Sequence, residues 1–111
     1  MGIFLLHCEK FLIAKNTITH NYNGIQAVTS VVQIEDNTIS HNKCNGVMLV
    51  EDCEILLSEN EFERNKVAGL VCRGVSRAKM KRNSFKDNKI EMLAEDGWEG
   101  LQDVETENEF T

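Results

Sequence analysis

Gly2, Gly24, Gly46 and Gly69 stand 22, 22 and 23 residues apart, each followed by an aliphatic residue: Ile3, Ile25, Val47 and Leu70. Asparagines keep step with them. Asn16, Asn37, Asn60 and Asn83 are each followed five residues later by another: Asn21, Asn42, Asn65 and Asn88. Between the paired asparagines sits one apolar residue, in turn Ile18, Ile39, Phe62 and Phe85. A chain that is self-similar at this period buries its apolar side chains by stacking one unit on the next. One unit cannot fold alone, because its few inward side chains return less than ordering its backbone costs.

Inside the unit the alternation has period two, the signature of strand and not of helix. Three short strands fit. The first points Ile3/Leu5, Ile25/Ala27, Val47/Leu49 and Leu70/Cys72 inward; the second Phe11/Ile13, Val32/Ile34, Ile55/Leu57 and Ala78/Met80; the third the single residue between the asparagines. A leucine-rich repeat has a similar period, but neither its L-x-x-L-x-L pattern nor a helical half is present. The expected fold is an all-β parallel solenoid with coils at 2–23, 24–45, 46–68 and 69–90, each strand pairing with its equivalent about 4.8 Å away. Asparagine tolerates the left-handed backbone of a tight corner, and its amide can bond locally or to the asparagine of the next coil. The glycine marks the return bend into the first strand.

In that register unlike charges stack. Glu54 falls opposite Arg77, Glu59 opposite Arg82, Glu63 opposite Lys86 and Arg64 opposite Asp87. Such pairs favour the register. His20 and His41 also stack, but no third ligand completes a metal set. After Asn88 the pattern breaks: Lys89-Ile90-Glu91-Met92-Leu93 replaces the glycine step, and Asp103 and Glu105 fall where side chains should point inward. Residues 91–111 therefore read as an acidic degenerate coil or cap, with Trp98 covering the open end of the core. The first coil, from Gly2, has no matching cap, which suits a piece of a longer solenoid or an interface at that end.

The net charge of −6 hides two blocks: residues 91–111 hold eight acidic residues and no Lys or Arg, while residues 64–89 hold nine Lys and Arg against Asp87 alone. Adjacent blocks of opposite sign serve each other, so a nucleic-acid partner is not expected. Cys8, Cys44, Cys53 and Cys72 lack zinc-ligand spacing, and no metal or cofactor is expected. Ile3-Phe4-Leu5-Leu6 is too short for a membrane span or the core of a secretory signal, and no membrane partner is expected. Asn16, Asn37 and Asn83 miss the glycosylation sequon. A reducing, cytoplasmic setting follows from these features.

The unit Asn16-Thr-Ile-Thr-His-Asn21-Tyr-Asn-Gly24-Ile25 resembles the right-handed parallel β-helix (pectate-lyase-like) repeats. Such repeats occur in periplasmic copper-maturation proteins, alginate epimerases, the β-helical F-box proteins and the SHC SH2-domain-binding protein family. The chain looks most like the last two, in which the resemblance implies a recognition platform. Enzymes of this fold set Asp, Lys, Arg or His on one outer sheet. Here the outward first-strand row is Phe4, Gln26, Met48 and Val71, with no acid–base couple, so no catalytic residues are assigned. An apolar, methionine-containing row suits a protein partner. The expected function is a non-catalytic interaction scaffold, part of a longer β-helix in an intracellular adaptor. The alternative is a carbohydrate-binding or degenerate polysaccharide-active β-helix, with its site at Arg73, Lys79 and Lys81.

Overall fold

Strands form wherever the period-two alternation runs. In the computed structural model, which describes residues 2–74, 77–94, 101–102 and 108–110, three strands make each coil. The first holds β1 (Ile3–Leu6), β2 (Phe11–Ala14) and β3 (Thr17–Thr19); the second β4 (Ile25–Val28), β5 (Val31–Glu35) and β6 (Thr38–Ser40). The third holds β7 (Asn45–Val50), β8 (Glu54–Ser58) and β9 (Glu61–Glu63); the fourth β10 (Ala68–Arg73), β11 (Arg77–Lys81) and β12 (Ser84–Lys86). A fifth turn adds β13 (Ile90–Ala94), β14 (Leu101–Gln102) and β15 (Glu109–Phe110). Equivalent strands pair in three parallel sheets of five, ordered β1-β4-β7-β10-β13, β14-β11-β8-β5-β2 and β15-β12-β9-β6-β3. This is a parallel β-helix.

The register is the one the repeat predicts. Ile3 pairs with Ile25, Ile25 with Val47, and Val47 with Leu70. Inward positions form one continuous core, from Leu5, Ile13 and Ile18 through Ile34, Leu49 and Leu57 to Met80 and Phe85. One column ends in an aromatic stack: Phe62 lies on Phe85 with centroids 4.6 Å apart, and Phe85 on Phe110 at 5.1 Å. Phe11 departs from expectation. It occupies an inward register position, above Val32, yet is 44 % exposed, whereas Ile13 on the same strand is buried.

The corners correct two expectations. The corner asparagines are not left-handed; the residues before them are. Lys15, Asp36, Glu59 and Arg82 have φ of 58°, 58°, 55° and 56°, as do His20, His41, Arg64 and Asp87 at 61°, 55°, 53° and 58°. The asparagines supply the amide ladder instead. Asn37, Asn60 and Asn83 each donate Nδ2–H to the next Oδ1 in their column and to a carbonyl of the preceding coil; Asn42 and Asn65 do the same in the second column, which ends at Asn88, a donor to Phe62 O. Burial makes these bonds obligatory, and the bonds in turn fix each left-handed residue beside them.

The repeated glycines do not serve as bends either, since none of the four has a left-handed φ. A Cβ on Gly2, Gly24 or Gly46 would lie 2.7, 2.7 or 2.6 Å from the carbonyl oxygen of the next glycine. Only a missing side chain lets the strands approach this closely. In the fifth turn Ile90 pairs with Ala68 and Met92 with Leu70, which sets Glu91 in the glycine column opposite Gly69. No described strand lies beyond Glu91 to crowd its Cβ. Its carboxylate accepts from Asn88 Nδ2 at 3.0 Å, in the place of the Oδ1 a next asparagine would offer.

The described strands of the fifth turn continue all three sheets. Leu101, and not Asp103 or Glu105, is the register partner of Ala78. Trp98, Asp103 and Glu105 lie outside the described residues.

Candidate interaction surface

A β-helix offers its partners three outer faces and two ends. On the first sheet the outward residues form two columns: Phe4, Gln26, Met48, Val71 and Leu93, and beside them Leu6, Val28, Val50 and Arg73. The expected row is therefore contiguous, but it is not uniformly exposed. Phe4 is 51 % exposed, Gln26 and Met48 are half-buried, and Val71 is 5 % exposed. Val71 is the correction: a short β-branched side chain between Met48 and Leu93 is covered by both neighbours. Leu6 and Phe4, at 53 % and 51 %, are the most accessible apolar members of the face, followed by Leu93 at 40 %.

A third asparagine column borders this sheet and escaped the sequence reading, although the two Asn-Gly dipeptides marked it. Asn45 donates its N–H and its Nδ2–H to Asn23 Oδ1, each at 3.2 Å, and both residues are buried. Asn23 also holds Gln26 Oε1 at 3.2 Å, and the two amides approach Met48 Sδ at 3.9 and 4.0 Å. Met48 is pinned and is not a freely adapting contact. The column stops because Ala68 follows Asn45 in register, leaving Asn45 Oδ1 buried with no hydrogen-bond partner.

The expected cationic residues do not share a face. Arg73 ends β10 on the first sheet, whereas Lys79 and Lys81 lie outward on β11 in the second, paired with Leu56 and Ser58. The stacked charges fall as the register requires. Arg82 Nη2 lies 3.3 Å from Glu59 Oε1 and Arg64 Nε 3.9 Å from Asp87 Oδ2, while Glu54 pairs with Arg77 and Glu63 with Lys86. All are solvent-facing and fix register more than they stabilise. His20 and His41 stack with centroids 5.7 Å apart. Among the described residues no three His, Cys, Asp or Glu side chains gather as a metal site, and no helix is long and apolar enough to cross a membrane.

The second sheet carries a surface groove that the sequence reading missed. It has a volume of about 580 Å³ and runs across the coils between the outward columns Lys10, Val31, Glu54, Arg77 and Leu12, Gln33, Leu56, Lys79. Its signal was leucine at two outward places of the alternation.

Among the cysteines, Cys72 has the clearest perturbation. It points into the core beside Leu49, and burial, followed by the neighbouring Cys53 thiol, pushes its pKa up from 9.0 to about 12. The raised pKa keeps the folded thiol neutral while the unfolded one ionises. Its contribution to stability is complete below pH 9 and is lost as pH rises toward about 12. Urea unfolding at about pH 8 and about pH 11 should show a loss of up to several kcal/mol that Cys72→Ala reduces. An identical alkaline loss in Cys72→Ala would assign the slope to other groups.

The family model described as the right handed beta helix region matches residues 1–106. No curated protein and no solved structure matches the chain. With three parallel sheets stacked coil on coil and a family match over nearly its whole length, this chain belongs to the right-handed β-helix family.

Proposed function

We propose that this β-helix is a non-catalytic protein-interaction scaffold whose contact surface is the outer face of the β1-β4-β7-β10-β13 sheet. The observation that carries the reading is the composition of that face: seven of the nine outward residues named above are apolar, the exceptions being Gln26 and Arg73. An aliphatic face with one amide and one guanidinium offers no general acid–base pair for chemistry on a substrate. It does offer desolvation to a complementary protein. The four free thiols fit a reducing, cytoplasmic setting. The likeness to the SHC-binding and F-box β-helices rests on the repeat unit alone, and an adaptor role agrees with it.

A saccharide site is less well supported. Sugars need ranks of side-chain hydrogen-bonding groups, and the groove of the second sheet is apolar over half its length, at Phe11, Leu12 and Val31.

The test uses Phe4 and Leu6, which are more than half exposed, in preference to the pinned Met48. The immobilised protein is offered cell lysate in one arm and neutral and acidic polysaccharides in the other. A specific protein retained by the wild type and reduced about ten-fold in Phe4→Asp/Leu6→Asp supports the scaffold. Saccharide retention indifferent to those substitutions would replace it with the carbohydrate reading.

A further inference from the structure

Two sulfurs converge where the third asparagine column borders the first sheet. Asn45 Nδ2, a donor to Asn23 Oδ1, lies 3.4 Å from Cys44 Sγ and 4.0 Å from Met48 Sδ. Asn23 Nδ2 lies 3.9 Å from the same thioether. A thiol and a thioether thus turn their lone pairs toward one amide N–H group. Asn45 is buried, but Cys44 and Met48 are only half-buried, so an ion from solvent can reach both sulfurs. The corner that carries them is fixed: Cys44 N–H donates to Tyr22 O and Cys44 O accepts from Val67 N–H, each at 2.7 Å. Cys44 also differs from the other thiols in what its sulfur does. Cys8 Sγ donates to Leu6 O at 3.7 Å and Cys53 Sγ to Ala27 O at 3.2 Å, and Cys72 is buried in the core, whereas Cys44 Sγ accepts.

We infer that Cys44 and Met48 form a binding site for a soft monovalent metal ion, copper(I), held between Cys44 Sγ and Met48 Sδ. The donors choose the ion. Thiolate and thioether are the soft ligands that copper(I) prefers, whereas calcium and magnesium take oxygen. Zinc wants a set of three or four protein ligands, and among the described residues no three His, Cys, Asp or Glu side chains gather to provide one. Copper(I) accepts as few as two ligands, so a pair of sulfurs needs no zinc-like spacing in the sequence. Binding exchanges a proton for the metal: the Cys44 S–H bond breaks, the proton leaves to solvent, and the sulfur donates its electron pair to the ion. Nothing is oxidised or reduced. Met48 is already held in place by the two amides, so little freedom is lost when the ion takes over their role. The Asn45 amide can give way to the ion, because its Oδ1 has no hydrogen bond to lose. Met48 belongs to the proposed protein-contact face, but the site stands on the sulfur geometry and not on that reading.

Anaerobic titration of the whole protein with copper(I), under ascorbate and against a chromogenic copper(I) chelator, tests the assignment. One ion per chain is expected, with affinity lowered about a hundred-fold in Cys44→Ser, about ten-fold in Met48→Leu and unchanged in Cys8→Ser. Silver(I), which has the same softness, should compete for the site, and zinc(II) should not. X-ray absorption of the copper-loaded protein should show two sulfur neighbours, reduced to one in Met48→Leu. Leucine conserves the volume of methionine, and Cys44 is only half-buried, so both variants should keep the wild-type urea midpoint; Cys44→Ala replaces Cys44→Ser if the latter does not. Copper(I) affinity unchanged in Met48→Leu would overturn the proposal, since a thiol acting alone is not this site. Affinity unchanged in Cys44→Ser, or an equal loss in Cys8→Ser, would overturn it as well. None of these outcomes bears on partner retention through Phe4 and Leu6, which is measured without metal.

Discussion

Asn60→Ala is expected to lower the unfolding free energy by about 3–5 kcal/mol, and Asn16→Ala by about 1 kcal/mol or less. The two residues hold the same place in the repeat and differ in what surrounds them. Asn60 is 1 % exposed; its Oδ1 accepts from the Asn37 N–H and Nδ2, each at 3.0 Å, and its Nδ2 donates to Ile34 O at 2.9 Å and Asn83 Oδ1 at 3.0 Å. Alanine removes that acceptor from a buried N–H, removes a donor from two buried oxygens, and leaves a void. Each stranded group carries a desolvation cost, which is why the sum exceeds the worth of any one bond. Asn16 is exposed, and its side chain donates to Asn37 Oδ1 and Ala14 O, so water replaces most of what its removal loses. Asn60→Asp is an isosteric control that keeps the acceptor and loses the donor. Because it also aims a carboxylate at Ile34 O, it should be at least as damaging at neutral pH. Urea unfolding of all three gives the comparison, and equal losses at positions 16 and 60 would deny the ladder its energetic role.

Gly46→Ala has the next largest expected effect, about 3 kcal/mol or more, or roughly 10 °C in melting temperature for a chain of this size. Its Cβ would sit 2.6 Å from Gly69 O, 3.1 Å from Asn65 Nδ2 and 3.2 Å from Phe62 Cδ1. The first of these is backbone, held in a parallel ladder that cannot rotate away as a side chain would. Gly2→Ala meets a similar clash, 2.7 Å from Gly24 O, but on the outermost described strand, which can splay without disturbing a neighbour on its far side. It should melt within a few degrees of the wild type. If Gly46→Ala does so as well, close strand approach is not what the glycine column is for.

The fold was legible because each marker answers a requirement that recurs once per coil. Gly24 and Gly46 are each required by a carbonyl, Asn37 and Asn60 by a buried amide partner, and Glu59 and Arg82 meet because the register stacks one on the other. The left-handed positions were not legible, since Lys15, Asp36, Glu59 and Arg82 share no chemistry beyond polarity; the bonded asparagine next door imposes their backbone. The outward faces were read in part. Alternation told outward from inward, but exposure also depends on how tall the neighbours are, and for that reason Val71 is covered while Phe11, an inward residue by pattern, is not. In the fifth turn the spacing departs from that of the earlier coils, so that position 101 and not 103 is the register partner of Ala78.

Glu91 changes what the repeat can template. Each coil ending in a glycine step is a mould on which another in-register strand can be cast, and a stack of such moulds has no intrinsic length. With a Cβ at that step, a further strand in the same register would bring its carbonyl against Glu91, as the 2.6–2.8 Å approaches along the rest of the column show. The carboxylate has meanwhile consumed the amide donor that would have recruited the next asparagine. The step at Glu91 therefore offers a further strand neither the clearance nor the free amide that the glycine steps before it provide.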